Sequence, residues 1–294
     1  MKGSKEKSES LRRTQEVSIA IPASFVSDTP HLREKTFRIG QVGRAAAILQ
    51  IEEVIVYPDI PNVNQSRDTD LLASVLSYME TPQYLRKRLF KIKPELRFAG
   101  VLPPLRTPHH PLANRLARLN VGEYREGVVV SVTKDGSLID VGVEQPSLIA
   151  RKKLSKNMRV TVKITSLKKP FLATLASRKE IGTYWGYRVV VSKVPFGQMM
   201  KKRRFNLVVA TSRKGTPITD VVDKLRKKWK VSKKVLVVFG APTQGLYEIL
   251  GHEHLKLGNI ANFIVNIIPN QGTETVRTEE ALYTTLAILN TLDR

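Results

Sequence analysis

Three short segments carry polar and glycine residues that packing alone does not call for: 211–216 (TSRKGT), 239–245 (FGAPTQG) and 268–273 (IPNQGT). Each follows an apolar run of strand-like length, 207–210 (LVVA), 234–239 (KVLVVF) and 263–268 (FIVNII). In an open α/β sheet the ligand crevice lies beyond the carboxyl ends of the strands, so all three segments are expected on one edge. Glycine lets the backbone approach a ligand closely, and exposed main-chain groups there can hydrogen-bond a heterocycle. One such loop reads as an ordinary turn; three on one edge read as a binding site. Arg213 stands in one of these loops and not in a run of charge, which marks it for a role on a bound substrate.

Absent patterns narrow the chemistry. Neither G-x-x-x-x-G-K-S/T nor G-x-G-x-x-G occurs, so cofactors held by those fingerprints are disfavoured. Cysteine is absent, which removes disulfides, thiolate zinc sites and cysteine nucleophiles. His252 and His254 stand two apart, wrong for one helix face, and no third ligand is signalled, so no metal is expected. Glu279 and Glu280 could serve as a base, but they fall in the first turn after Thr278, where carboxylates complement the helix dipole. His109 and His110, within 102–111 (LPPLRTPHHP), could touch RNA or move a proton; equally, they could satisfy backbone groups in a rigid hinge.

The elements that must hold these loops follow a βαβα order. Residues 17–21 (VSIAI), stopped by Pro22, and 53–57 (EVIVY), closed by Pro58, are expected strands. Helices are expected over 31–48, 71–79 and 83–90, the second capped near Asp68 or Thr69. Such alternation marks a parallel α/β sheet. It breaks at prolines 94, 103, 104, 108 and 111, a stretch that reads as a hinge. Short alternating runs follow at 126–132, 137–143, 147–150 and 159–164, with Lys134-Asp135-Gly136 as a hairpin turn. They fit a small closed barrel of the OB type, inserted into an α/β pattern that resumes at Tyr187. The expected organisation is a disordered basic tail over 1–16, a discontinuous α/β domain over 17–92 and 179–294, and a barrel insert with its hinges over 93–178.

Lys and Arg number 49 against 26 Asp and Glu, a net charge of +23. Ion-pair-rich surfaces enrich both signs and would not give this imbalance. A polyanion partner, most simply RNA, would. Three basic clusters suggest an RNA track beside an OB-type barrel: Arg151-Lys152-Lys153 with Lys156, Lys201-Lys202-Arg203-Arg204, and 224–234 around Trp229. No apolar run approaches the roughly 20 residues of a membrane span, and the first residues lack the apolar core of a secretory signal. A cytoplasmic protein without a membrane partner is expected.

Four segments together resemble the SPOUT class of RNA methyltransferases: 102–111 (LPPLRTPHHP), 210–217 (ATSRKGTP), 237–245 (VVFGAPTQG) and 266–281 (NIIPNQGTETVRTEEA). The resemblance is to the archaeal and eukaryotic branch with an OB-fold insert, which includes ribosome-associated centromere-protein homologues. It covers nearly all of residues 15–294, and the last segment and the PHH hinge are its specific parts. It implies a parallel sheet with a deep trefoil knot, S-adenosyl-L-methionine held in a bent shape, and a homodimer whose active site both chains complete. It further implies that Thr211, Arg213, Gly240, Gly245, Asn266, Ile267, Ile268, Pro269, Gln271, Gly272 and Thr275 line the cofactor pocket. Arg213 would be catalytic, orienting the target nucleotide or stabilising an anion on it. RNA would be met by His109, His110, Arg151, Lys152, Lys153, Lys201, Lys202, Arg203 and Arg204. Relatives often carry a diglycine where this chain has Gly240-Ala241. Two functions are therefore expected: a methyltransferase acting on structured RNA, ribosomal and with uridine N3 as a candidate target, or a non-catalytic RNA-binding or ribosome-assembly protein of the same fold.

Overall fold

The computed structural model describes residues 12–293; most of the expected amino-terminal tail, 1–11, lies outside the described residues. In chain order the main elements begin with β1 Glu16–Pro22, α1 Leu32–Ile48, β2 Glu53–Tyr57, α2 Ser66–Glu80 and α3 Gln83–Leu89. Five strands follow: β3 Tyr124–Val132, β4 Gly136–Asp140, β5 Ser147–Ala150, β6 Arg159–Ser166 and β7 Leu172–Leu175. The chain continues with β8 Arg188–Val191, α4 Phe196–Lys202, β9 Leu207–Pro217, α5 Ile218–Val231, β10 Lys234–Val238, α6 Leu246–Gly251, β11 Phe263–Asn266 and α7 Thr278–Asn290.

These elements form two compact units. One contains 14–80, 93–105 and 187–294; the other contains 81–92 and 106–186 with the start of the described chain. The division differs from the insert expected over 93–178, since α3 joins the barrel and 93–105 the sheet.

In the first unit six strands lie in the order β11-β9-β10-β1-β2-β8, and every neighbouring pair is parallel. The inner strands β1, β2 and β10 are buried almost throughout, as expected for continuous apolar runs covered on both faces. Helix α1 packs through small residues. A Cβ at Gly43 would lie 2.7 Å from Tyr187 Oη and 2.8 Å from Met79 Sδ, so glycine lets α1 approach α2 closely. Helix α2 starts at Ser66, whose N–H donates to Asn64 Oδ1 at 2.9 Å, two residues before the expected cap.

The edge pair β9–β11 is interrupted. Ile264 pairs with Ala210, but the next residue, Val265, pairs with Thr216. Residues 211–215 therefore leave the ladder and return to it. Their return is tight, because a Cβ on Gly215 would lie 2.6–2.9 Å from backbone atoms of Ile264, Val265 and Asn266. Backbone cannot yield as a flexible side chain can. Gly215→Ala is expected to lower stability by about 1–3 kcal/mol. Urea denaturation checks this, and an unchanged midpoint would mean that the excursion moves freely over β11.

The second unit is a closed five-stranded barrel in the order β3-β4-β5-β7-β6, with β6 closing back on β3 and one parallel pair, β5 with β7. Val129, Ile139, Val141, Ile149, Val162, Ile164 and Phe171 fill it. Gly136 follows Asp135 in the β3–β4 turn with φ +149, and a Cβ there would meet Ile149 O. Glu126, buried at 2% exposure, accepts hydrogen bonds from Arg159 Nε, Thr161 Oγ1 and Trp185 Nε1, each at 2.6 Å. A carboxylate so saturated is a framework group.

Candidate functional site

The excursion of β9 and the loops after β10 and β11 surround one cavity of about 370 Å3. This is within the roughly 300–1,000 Å3 typical of small-molecule sites. The first segment contributes Thr211 and Arg213, and the second Gly240 and Gly245. The third contributes Asn266, Ile267, Ile268, Gln271 and Thr275. Pro269 and Gly272, expected beside them, are exposed on the same loop and do not line the cavity. Helix α7 supplies a wall that the sequence reading missed, made of Thr278, Ala281 and Thr285. Their spacing of three and four residues puts them on one helix face, which is the signal that could have revealed them.

Most loop side chains are committed to holding the loops. Thr211 Oγ1 donates to Val238 O at 3.0 Å, tying β9 to β10. Asn266 Nδ2 donates to Arg213 O at 3.1 Å, while its Oδ1 accepts from Ile268 N at 3.1 Å. Arg213 Nη1 and Gln271 Nε2 both donate to Glu274 O, at 2.8 and 3.0 Å. Thr278 Oγ1 donates to Gly240 O at 3.3 Å. From below, Tyr57 Oη donates to Phe239 O at 2.6 Å, and burial pushes that phenol well above its ordinary pKa. It stays neutral and acts as a strut.

The lining also includes the charged residues Arg213, Lys214, Glu248 and Glu274, and two lining residues, Gln244 and Thr285, carry a buried side-chain oxygen without a hydrogen-bond partner. A Cβ on Gly240 would lie 3.1 Å from Gln244 O, a tight contact that favours glycine there. Ala241 is accommodated, with its N–H donating to Gln244 O at 2.9 Å. The missing diglycine therefore does not obstruct the pocket.

The residues expected at RNA divide. Arg151, Lys152 and Lys153 are exposed on the barrel, and Lys201, Lys202 and Arg204 are exposed at the end of α4. Arg203 is instead bonded to the buried carboxylate of Glu53. His109 is fully buried, with Nδ1 3.0 Å from Thr107 Oγ1 and its ring 6.0 Å from that of Trp185. It is a packing residue of the barrel unit and presents no surface to a polyanion. His110 is half-buried, its ring edge-on to His109 at 4.3 Å. Trp229, in the third basic run, is buried with Nε1 2.6 Å from Asp293 Oδ1, so it is not a stacking platform. Among the described residues no group of three His, Asp or Glu could hold a metal, and no helix is long and apolar enough to cross a membrane.

A protein-family model described as "Putative RNA methyltransferase" matches residues 16–289, a span that includes every wall of the cavity. The chain belongs to this RNA methyltransferase family. It is 33% identical to a 28S rRNA (uridine-N(3))-methyltransferase of Drosophila melanogaster, over 93% of this chain and 61% of that protein. A protein of the same name from Mus musculus is 31% identical, over 94% of this chain and 76% of its own length. An uncharacterized protein of Haloarcula marismortui is also 31% identical, over 92% of this chain and 98% of its own length. The chain thus spans under two thirds of the fly protein and nearly all of the archaeal one. The resemblance to RNA methyltransferases carried by the four motifs is borne out. Membership of such a family implies a methyl donor.

Proposed function

We propose that the chain is an S-adenosyl-L-methionine-dependent methyltransferase acting on ribosomal RNA, with uridine N3 as the target. The observation that carries this reading is the convergence of three separate loops on one cavity, with their side chains committed to holding the loops in place. The names of the fly and mouse relatives supply the substrate class.

Further features support a SPOUT-class architecture. The fully parallel six-stranded sheet and the three loops that meet on one cavity support it, and a trefoil knot is part of the same reading. The closed five-stranded barrel supports an OB-type RNA-binding module, and its exposed Arg151, Lys152 and Lys153 support contact with phosphates. A homodimer is part of the same reading, carried by the family resemblance.

The methyl donor supplies an electrophilic methyl group on a sulfonium. The residues of this chain bind and orient. Gly240 and Ile267 present main chain to the nucleoside, and the α7 wall limits water. Arg213, exposed at the rim, would meet the anionic nucleotide. As uridine N3 bonds the methyl carbon, the carbon–sulfur bond of the donor breaks with its electron pair left on sulfur as a thioether, and the N3 proton passes to solvent water. Holding donor and base in line in a partly dry cleft lowers the barrier chiefly through orientation.

Two measurements test the reading. Calorimetric titration of the full chain with S-adenosyl-L-methionine, alone and with rRNA fragments, is expected to show binding. Mass spectrometry of rRNA from a deletion strain is expected to show one missing methyl group. Binding of RNA without either result would leave a non-catalytic assembly protein and end the enzymatic proposal. Replacing Arg151, Lys152 and Lys153 together by alanine is expected to lower the salt slope of RNA affinity by about 2–3 in log–log units. An unchanged slope would remove the barrel from the RNA track.

A further inference from the structure

Thr285 is 1% exposed, lines the cavity, and its Oγ1 has no hydrogen-bond partner. A helical threonine has a ready acceptor in its own helix, the carbonyl three or four residues back. Elsewhere this protein uses it. Thr36 Oγ1 donates to Leu32 O at 2.7 Å, Thr69 Oγ1 to Ser66 O at 2.9 Å, and the adjacent Thr284 Oγ1 to Glu280 O at 2.8 Å. Thr285 does not. Buried polar groups are almost always satisfied, so one that forgoes a local partner points to another.

A second residue lining the same cavity shares the condition. Gln244 lies in the loop after β10, and its main-chain carbonyl closes the turn by accepting from Ala241 N at 2.9 Å. Its side-chain Oε1 is buried and unpartnered. The two residues come from different walls, the loop and the helix, and both are uncharged. Along α7, Thr278 is engaged with Gly240 O and Ala281 is small, so Thr285 is the polar group of that face left for a ligand.

We propose that Thr285 and Gln244 are specificity-determining contacts to the adenosine half of the methyl donor. The inference rests on the cofactor reading given above. Gln244 Oε1 can only accept, so it takes an N–H or O–H of the nucleoside. Thr285 Oγ1 can donate to a ring nitrogen or accept from a hydroxyl. Neutral groups suit the nucleoside, whereas the charged amino-acid end requires charged or main-chain partners.

The test uses the full chain with Thr285→Val, Thr285→Ser and Gln244→Met. Valine is nearly isosteric with threonine and deletes the orphaned hydroxyl, so the ligand-free variant is expected to melt no lower than the parent. Its affinity for S-adenosyl-L-methionine is expected to fall about tenfold by calorimetry, with Thr285→Ser returning to within about threefold. Gln244→Met is expected to weaken binding similarly. The same losses are expected for 5′-methylthioadenosine, which lacks the amino-acid end. Wild-type binding with unchanged affinity in Thr285→Val and Gln244→Met would overturn the assignment. So would a Thr285→Val variant whose melting falls while its affinity holds, because the hydroxyl would then be structural. Losses seen with the full donor but absent with 5′-methylthioadenosine would overturn the placement on the nucleoside. No binding by the wild type would overturn the cofactor reading itself, and the assignment with it.

Discussion

Glu279→Ala is expected to destabilise the sheet unit by about 3–5 kcal/mol, toward the lower end of that range. The glutamate is 7% exposed and grips Arg38 of α1 with both oxygens, Oε1 to Nε at 2.7 Å and Oε2 to Nη2 at 3.1 Å. Arg38 is itself 7% exposed, with Nη1 on Asp28 Oδ1 at 2.6 Å and its guanidinium 5.5 Å from the centroid of the Phe25 ring. Burial alone would lower its pKa, but the hydrogen-bonded carboxylates of Glu279 and Asp28 hold it above the ordinary arginine value. Arginine stays protonated in proteins, so removing Glu279 leaves a buried cation with one partly exposed carboxylate, Asp28, beside the Thr29 hydroxyl. That remaining partner is why the lower end is expected. The pair joins α1 to the first turn of α7, the helix that forms the cavity wall, so cofactor affinity should fall with stability. Urea denaturation of Glu279→Ala, with Arg38→Met/Glu279→Leu as the paired control, checks the argument. The double variant removes both charges and should recover much of the loss. A single variant within 1 kcal/mol of the parent would show that the pair is no lock.

Glu279 also shows where sequence reading stops. Its place in the first helical turn made it a dipole charge, a local argument; its partner lies 241 residues away. Glu280 keeps the local role, accepting from Arg277 N at 2.9 Å. The same divide recurs. Parallel strands were legible because burial on both faces leaves continuous apolar runs, and the shared loop edge followed from strand direction alone. Strand order, the 211–215 excursion and the Arg203–Glu53 pair depend on contacts that no spacing encodes. Helix α3 was seen, but its core was not. The ring of Tyr84 lies where a Cβ on Gly142 would be, and its hydroxyl donates to Glu126 O at 2.8 Å, both in the barrel unit. Strand β7 and helix α4 were missed because LATL is short and FGQMMKK runs into a charge cluster. Trp229 could have been recognised, since it stands four residues after the buried Leu225 on one face of α5.

On the proposed methyltransferase function, Arg213→Ala is expected to lose about 100- to 1,000-fold in methyl transfer, the range seen when one preorganised donor is removed from a reacting centre. The fold should survive, because the side chain is exposed and the Asn266 hydrogen bond is to the Arg213 carbonyl, which alanine keeps. What is lost is the guanidinium at the cavity rim. One of its nitrogens reaches Glu274 O and helps Gln271 hold the third loop down, leaving other N–H donors for a nucleotide. The two duties separate in kinetics. If Arg213 acts mainly on RNA, kcat falls while calorimetric affinity for S-adenosyl-L-methionine stays within about threefold. If it mainly latches the loop, cofactor affinity falls with transfer, and Gln271→Ala should reproduce the loss. Arg213→Lys keeps the charge but not the planar fork, so it should recover only part of the rate. Transfer within about threefold of the parent in Arg213→Ala would remove the residue from the mechanism and leave the rim to the main chain.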